Sequence, residues 1–261
     1  TVTYQVNGLT NQLAEFLKAF ASDADTSAVT NLYKTAQFNL KGAVNANTVS
    51  LKDSTLKLDD MVIGLGGSYK PALNGSRAKA VIDVTAGAVD FDRIMGANGK
   101  QAAASANAGA GGAAKGSAKE AVKPLQDFSL PMDLGFDISL QKARINQADL
   151  EGLRLVGDLT GKKLTLSNAS VNNFAGATLS VKGQVANLSD LSGMDLTSYI
   201  KTSDVTRLAQ ALKADTSKFP KGLSAVEANI TTKGSVNKMA FSTNVAALGG
   251  QLDAAGDAAD V

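Results

Sequence analysis

The side chains from which most active sites are built are missing from this chain. Its 261 residues include no His and no Cys. That removes imidazole bases, thiol nucleophiles, Ser-His-Asp triads and the usual zinc ligands together. Carboxylates remain, but they are scattered. Asp59-Asp60 is the one adjacent pair that could be pictured on a metal. It lies between two apolar runs, where paired Asp residues belong to a hairpin turn. Gly64, Gly66 and Gly67 precede Ser68, yet no GxxxxGK[ST] string is present and no helical pattern follows. Asn74-Gly75-Ser76 and Asn168-Ala169-Ser170 match a glycosylation acceptor at chance frequency, and both read as turn-rich. Lys142, Arg144 and Arg154 form a small basic cluster that reads as a solvated strand face. Lys+Arg number 26 against Asp+Glu 24, a net charge of +2. That is no footprint for nucleic acid. The expectation is a protein without catalytic residues, metal or cofactor.

The elements carry more information than the reactive groups. One phrase occurs three times: an alternating run, a Gly-containing turn, and a second alternating run. The clearest copy is Lys163 to Gly183, KLTLSNASVNNFAGATLSVKG. A shorter one runs from Met239 to Gly256, and a looser one from Thr48 to Gly67. Apolar residues at every second position predict strands, and repetition of a hairpin predicts stacked units. Val2, Tyr4 and Val6 open the chain as a strand. Leu13, Phe16, Leu17 and Phe20 then predict a helix with Thr10 as its cap. Four strands are expected between Lys34 and about Gly87, closed by a helical turn in AVDFDRIMG. Four more are expected from Leu130 to about Val185. A second helix is expected near 203–213, capped by Ser203, with Val205, Leu208, Ala209 and Leu212 on its buried stripe. Residues 89–94, VDFDRI, match 203–208, SDVTRL: an acidic residue precedes an Arg by three places in each.

The expected organisation is a first β-repeat block over 1–96, a low-complexity linker over 97–122, a second block over 123–222 and the start of a third over 223–261. The linker is rich in Ala, Gly, Ser and Asn and has no large apolar anchor through 97–119. Brief trypsin treatment is expected to cut first at Lys100, Lys115 or Lys119. No run of about 18 apolar residues is present. The start and end of the sequence both read as strand, as though cut from something longer.

The strongest alternation defines a candidate binding surface. Leu134, Phe136, Ile138 and Leu140 share one face, followed by Leu153 and Leu155, Leu164 and Leu166, and Leu179, Val181 and Val185. Two helices of about 11 residues span about 16 Å each, whereas strands of about ten residues rise about 33 Å. Two such helices cannot cover the apolar face of eleven or twelve strands. The remainder must curl on itself, pack against further parts of the protein, or hold something apolar.

The run from Leu130 to Val185 resembles the repeat region of AsmA-like proteins of Gram-negative bacteria. LGFDISLQKARI, LEGLRLVGDL and the strand–Gly-turn–strand that follows carry the resemblance. NVAALGGQLDAAG carries the family's double-Gly turn, and Ala175-Gly176 stands in its place in the second copy. The likeness spans about three fifths of the chain. It implies a β-dominated α+β fold: long antiparallel strands in a strongly curved, groove-forming or partly closed sheet, with short helices at repeat ends. It also implies a periplasmic segment of a protein anchored in the inner membrane from outside this stretch. Phospholipid or another acyl-chain lipid would be the partner, beside the remainder of the same chain and envelope proteins, and the eleven residues above would line the groove. The alternative is a structural or adhesive cell-surface β-repeat with a packed interior.

Overall fold

The computed structural model describes residues 1–13, 15, 32–97, 130–145, 148–212, 214–216, 219 and 223–259. Thirteen strands form one sheet. The first five are β1 (Val2–Thr10), β2 (Ala36–Asn45), β3 (Thr48–Leu58), β4 (Met61–Lys70) and β5 (Ala78–Asp90). Helix α1 (Phe91–Ala97) follows. Then come β6 (Met132–Ile145), β7 (Ala148–Thr160), β8 (Lys163–Phe174), β9 (Ala177–Asn187) and β10 (Ser192–Thr202). Helix α2 (Val205–Ala211) leads to β11 (Val226–Gly234), β12 (Lys238–Ala247) and β13 (Gly250–Ala259). Spatial order equals sequence order, and β1 and β13 do not pair, so the sheet is open.

The expected four-strand meanders are present as β2–β5 and β6–β9. β10 was not expected. Its run, SGMDLTSYIKT, interrupts the apolar alternation of Met194, Leu196 and Ile200 with Ser198. Pairing on both sides holds it in the sheet. The expectation of antiparallel strands is corrected at one place: β5 and β6 pair in parallel. The stretch expected as a linker, apart from Ala97, lies outside the described residues until Leu130.

Three units emerge, each opening on a strand that leads into a helix. They are β1–β4, β5–β9 and β10–β13. The middle unit has an extra strand between its helix and its closing hairpin, and the parallel pair β5–β6 falls there. The closing hairpins are the three copies of the repeated phrase. Their turns begin at Asp59, Ala175 and Leu248, with φ of 49°, 51° and 52°. In the first copy the turn is Asp59-Asp60, and Gly64, Gly66 and Gly67 lie inside β4 instead of forming a loop. Asn168-Ala169-Ser170 is likewise strand, within β8, not turn. Asn74-Gly75 is a turn, between β4 and β5.

The helix starts correct the expected caps. Asp204 is the N-cap of α2, and its carboxylate accepts from the Arg207 N–H at 2.9 Å. Ser203 is one place too early, because the Thr202 hydroxyl accepts the Asp204 N–H at 3.1 Å and holds the chain extended until then. Thr10 is the last residue of β1, and its hydroxyl accepts the Gln12 N–H at 3.0 Å. Leu13 is helical and buried. Phe16, Leu17 and Phe20 of the expected stripe lie outside the described residues. The matched strings VDFDRI and SDVTRL are matched caps: Asp90 accepts from the Arg93 N–H, also at 2.9 Å.

The packed core runs across one end of the strands, where the helices leave the sheet. Leu13, Tyr33, Ala36 and Leu58 form one cluster. Ala86, Leu140 and Ala143 form the next, and Ile63 touches both. Val171, Phe174, Ala177 and Leu208 form the third, joined to the second through Leu150 and Leu153. Leu208 enters from α2, so the helix closes the third cluster by burying its apolar stripe.

Candidate functional site: an apolar sheet face

Directly opposed residues in a ladder share a face, so the registers place every candidate residue. Leu134, Ile138 and Leu140 of β6 oppose Leu159, Leu155 and Leu153 of β7. Phe136 opposes Gly157, and its ring lies where a Cβ on Gly157 would be, 2.8 Å from that position. Leu155, Gly157 and Leu159 oppose Ala169, Leu166 and Leu164 of β8. Leu164, Leu166, Ala169 and Val171 oppose Val185, Gly183, Val181 and Leu179 of β9. All eleven expected residues therefore lie on one face. Leu140 and Val185 are buried, and the other nine are half-buried.

The face continues in both directions. Across the parallel pair, Phe136 and Ile138 align with Ile82 and Val84. Leu65 opposes Val84, and Leu56 opposes Ile63. Phe38 opposes Leu56 and then Gly8, and Val44 opposes Val2. On the other side Leu179 opposes Ile200, Ile200 opposes Ala228, Ala228 opposes Val245, and Val245 opposes Leu252. The sequence reading did not include these flanking positions in the candidate surface, because it took only the strongest alternation, from Leu134 to Val185.

Exposure grows away from the helices and towards the edges. Val2, Val44, Val49, Tyr69 and Ile82 are exposed, as is Leu252 at the opposite edge. Each belongs to the apolar face, and most sit at the strand ends remote from the packed clusters. The surface is thus dry and packed at the helix end and accessible at the other, among the described residues. No helix among them is long and apolar enough to cross a membrane.

The reverse face is polar and paired. The expected basic cluster is a set of exposed ion pairs: Arg154 meets Asp137 at 2.9 Å, and Arg144 meets Asp149 at 4.0 Å. Glu227 accepts from Tyr199 at 3.1 Å and lies 3.1 Å from Lys201. The Lys201 ammonium, helped by the Tyr199 hydroxyl, holds the Glu227 carboxyl below its ordinary value. Partial burial, then the Glu227 carboxylate, pushes the Tyr199 phenol up. These groups form a cross-strand ladder between β10 and β11.

Asp59 has a structural task. Its carboxylate accepts from the Thr35 N–H at 2.9 Å, the Thr35 hydroxyl at 2.8 Å and the Lys34 N–H at 3.3 Å. The Thr35 hydrogen bonds hold its carboxyl below the ordinary value. A depression of about 600 Å³ near the helix end carries both signs of charge, from Asp60 and Glu151 to Arg93 and Arg144. It favours neither an anion nor a cation. Among the described residues no three His, Cys, Asp or Glu side chains come together as a metal would require. Comparisons with protein-family models, with curated proteins and with solved structures find no match to this chain.

Proposed function

We propose that this chain is a periplasmic segment of an AsmA-like protein that shields lipid acyl chains on its apolar sheet face. The observation that carries the reading is the single face shared by eleven half-buried or buried apolar residues across β6–β9, continued by the strands on either side. Acyl chains lie along Leu134, Phe136, Ile138 and their neighbours, and head groups stay in water. In this reading the sheet curves so that the apolar face surrounds its cargo. No group is asked to make or break a bond, so the protein acts as a conduit in lipid transfer or outer-membrane assembly.

The packed clusters at the helix end favour a second reading, a structural or adhesive repeat with a dry interior. A photo-crosslinking residue at position 155, opposite Ile138, with phosphatidylethanolamine–phosphatidylglycerol vesicles, separates the two. Lipid capture by the parent, lost in a folded Ile138→Asp variant, supports the conduit. Ile138 is half-buried at the margin of the second cluster, so Ile138→Asp should cost less than the roughly 3–5 kcal/mol of an unpaired buried charge. Leu140→Asp, inside a packed cluster, should incur that full cost. A parent that captures no lipid, with an Ile138→Asp variant that cannot fold, favours the packed repeat.

A further inference from the structure

The strand ends remote from the helices carry an excess of positive charge. At that end stand the two nearest residues of each strand from β3 to β10, and the turns that join them. Among the described residues there, Lys70, Arg77, Lys79, Lys162 and Lys163 face only Asp133 and Asp190. Arg77 takes Asp133, at 2.9 Å, and Asp190 accepts the Ser192 N–H at 3.0 Å. At the helix end, counted the same way, Asp59, Asp60, Asp90 and Asp149 outnumber the cations. Lys70 and Lys79 are directly opposed in the last rung of the β4–β5 ladder. Among the described residues neither has a carboxylate partner. Like charges so placed repel, and an anion held between them removes the repulsion.

Between these two lysines the chain builds a firm apolar tip, PALNGSR over residues 71–77. Asn74 and Gly75 have φ of 51° and 80°, the pair of positive angles that a tight two-residue turn requires. The Ser76 N–H donates to the Leu73 C=O at 2.9 Å, and the Ser76 hydroxyl donates to the same oxygen at 2.7 Å. Arg77 ties the base of the loop to the start of β6, donating to the Leu130 C=O at 2.8 Å. Leu73, beside the turn, is nevertheless 42% exposed. A leucine fixed in water is stabilised by any apolar medium that takes it up. Next to the loop, Tyr69, Val49 and Val44 form one apolar row across β4, β3 and β2, and all three are exposed.

We propose that this end of the sheet docks on an anionic phospholipid bilayer, through the β4–β5 loop. Leu73 enters the acyl boundary. Tyr69 lies at the level of the head groups, where amphipathic rings are favoured. Lys70 and Lys79 take lipid phosphates, and Lys162 and Lys163 add to the attraction of a negative surface. Apolar groups flanked by unpaired cations are the combination by which a protein surface holds an anionic bilayer. A soluble phosphate would need the lysines but not Leu73. Docked in this way, the accessible end of the apolar face meets lipid and the helices point away. The docking holds whether or not the apolar face carries acyl chains.

The absence of native Cys lets one introduced thiol report depth. Leu73→Cys and, at the helix end, Asp60→Cys each carry an environment-sensitive dye and are mixed with phosphatidylglycerol-rich or with phosphatidylcholine vesicles. On the anionic vesicles alone, the dye at 73 should shift to the blue and be quenched by brominated lipid. The dye at 60 should stay in water. The unmodified chain should sediment with the anionic vesicles and be released in about 0.5 M salt, which screens surface charge. Lys70→Gln with Lys79→Gln should weaken that binding about 30-fold, the effect of two charges at such a surface, without lowering the thermal midpoint. The proposal is overturned if the parent ignores anionic vesicles, binds both kinds equally, or buries the dye at 60 in place of that at 73. Parental affinity in the double variant would overturn it too. Release by inorganic phosphate at constant ionic strength, with the dye at 73 still in water, would make the lysines a free-phosphate site and also overturn the docking. Lipid capture at position 155 is a separate readout, so this proposal and the conduit can fail independently.

Discussion

Ser54 shows how one hydroxyl secures an irregular ladder. It lies where β2 and β3 lose register, between Asn39 and Gly42 on one strand and on the flank of a second shift against β4. It is 1% exposed, and its hydroxyl accepts from the Lys41 N–H at 2.9 Å and donates to the Lys41 C=O at 3.1 Å. Without it, both backbone groups lose their partner inside the sheet. Ser54→Ala is expected to cost about 1–3 kcal/mol, the price of stranding buried polar groups, measurable as a lower urea midpoint. Asp59 supplies a pH dependence. Its carboxyl titrates below its unfolded value of 3.8, so its contribution is complete above that value. The contribution is lost as the pH falls through the lower folded value. Asp59→Asn should therefore flatten the acid limb of the stability curve below about pH 4, and an unchanged limb would assign that role elsewhere.

At the scale of the element, the same start is written three ways. Thr10, Asp90 and Thr202 each end or follow the opening strand of a unit, and a short side chain accepts a backbone N–H just beyond. Asp204 then caps α2, which brings Leu208 onto Val171, Phe174 and Ala177. Asp204→Ala is expected to cost about 0.5–2 kcal/mol by chemical denaturation. Ser203→Ala should stay within about 0.5 kcal/mol, because Asp204 is the helix cap. Equal losses in the two variants would return the cap to Ser203. Closing hairpins tolerate Asp59, Ala175 or Leu248 at a positive φ because the following strand, anchored across its ladder, holds each turn in place.

At the scale of the molecule, contacts run mainly between neighbours in one long sheet, so stability should be distributed as in a repeat array. β6–β9 pair on both sides and carry two of the packed clusters, whereas β1 and β13 each pair on one side only. Hydrogen exchange is expected to be slowest in β6–β9 and fastest in β1 and β13. Uniform protection across all thirteen strands would mean a single cooperative core.

The alternation of Leu134, Phe136, Ile138 and Leu140, and of the pairs that follow, was enough to put them on one side of their own strands. A period of two allows no other arrangement in a pleated chain. The three hairpins and the paired caps Asp90–Arg93 and Asp204–Arg207 were legible for the same reason: each is set by residues within a few places of one another. Tertiary structure decided what depends on distant partners. It placed β10 in the sheet despite Ser198, because β9 and β11 satisfy its backbone on both sides. It turned β5 and β6 parallel, and it moved the helix cap from Ser203 to Asp204 by keeping Thr202 paired in the strand. Above all it aligned eleven apolar side chains from four strands onto a common face, since register between strands is chosen by the fit of whole ladders and not by any one run of sequence.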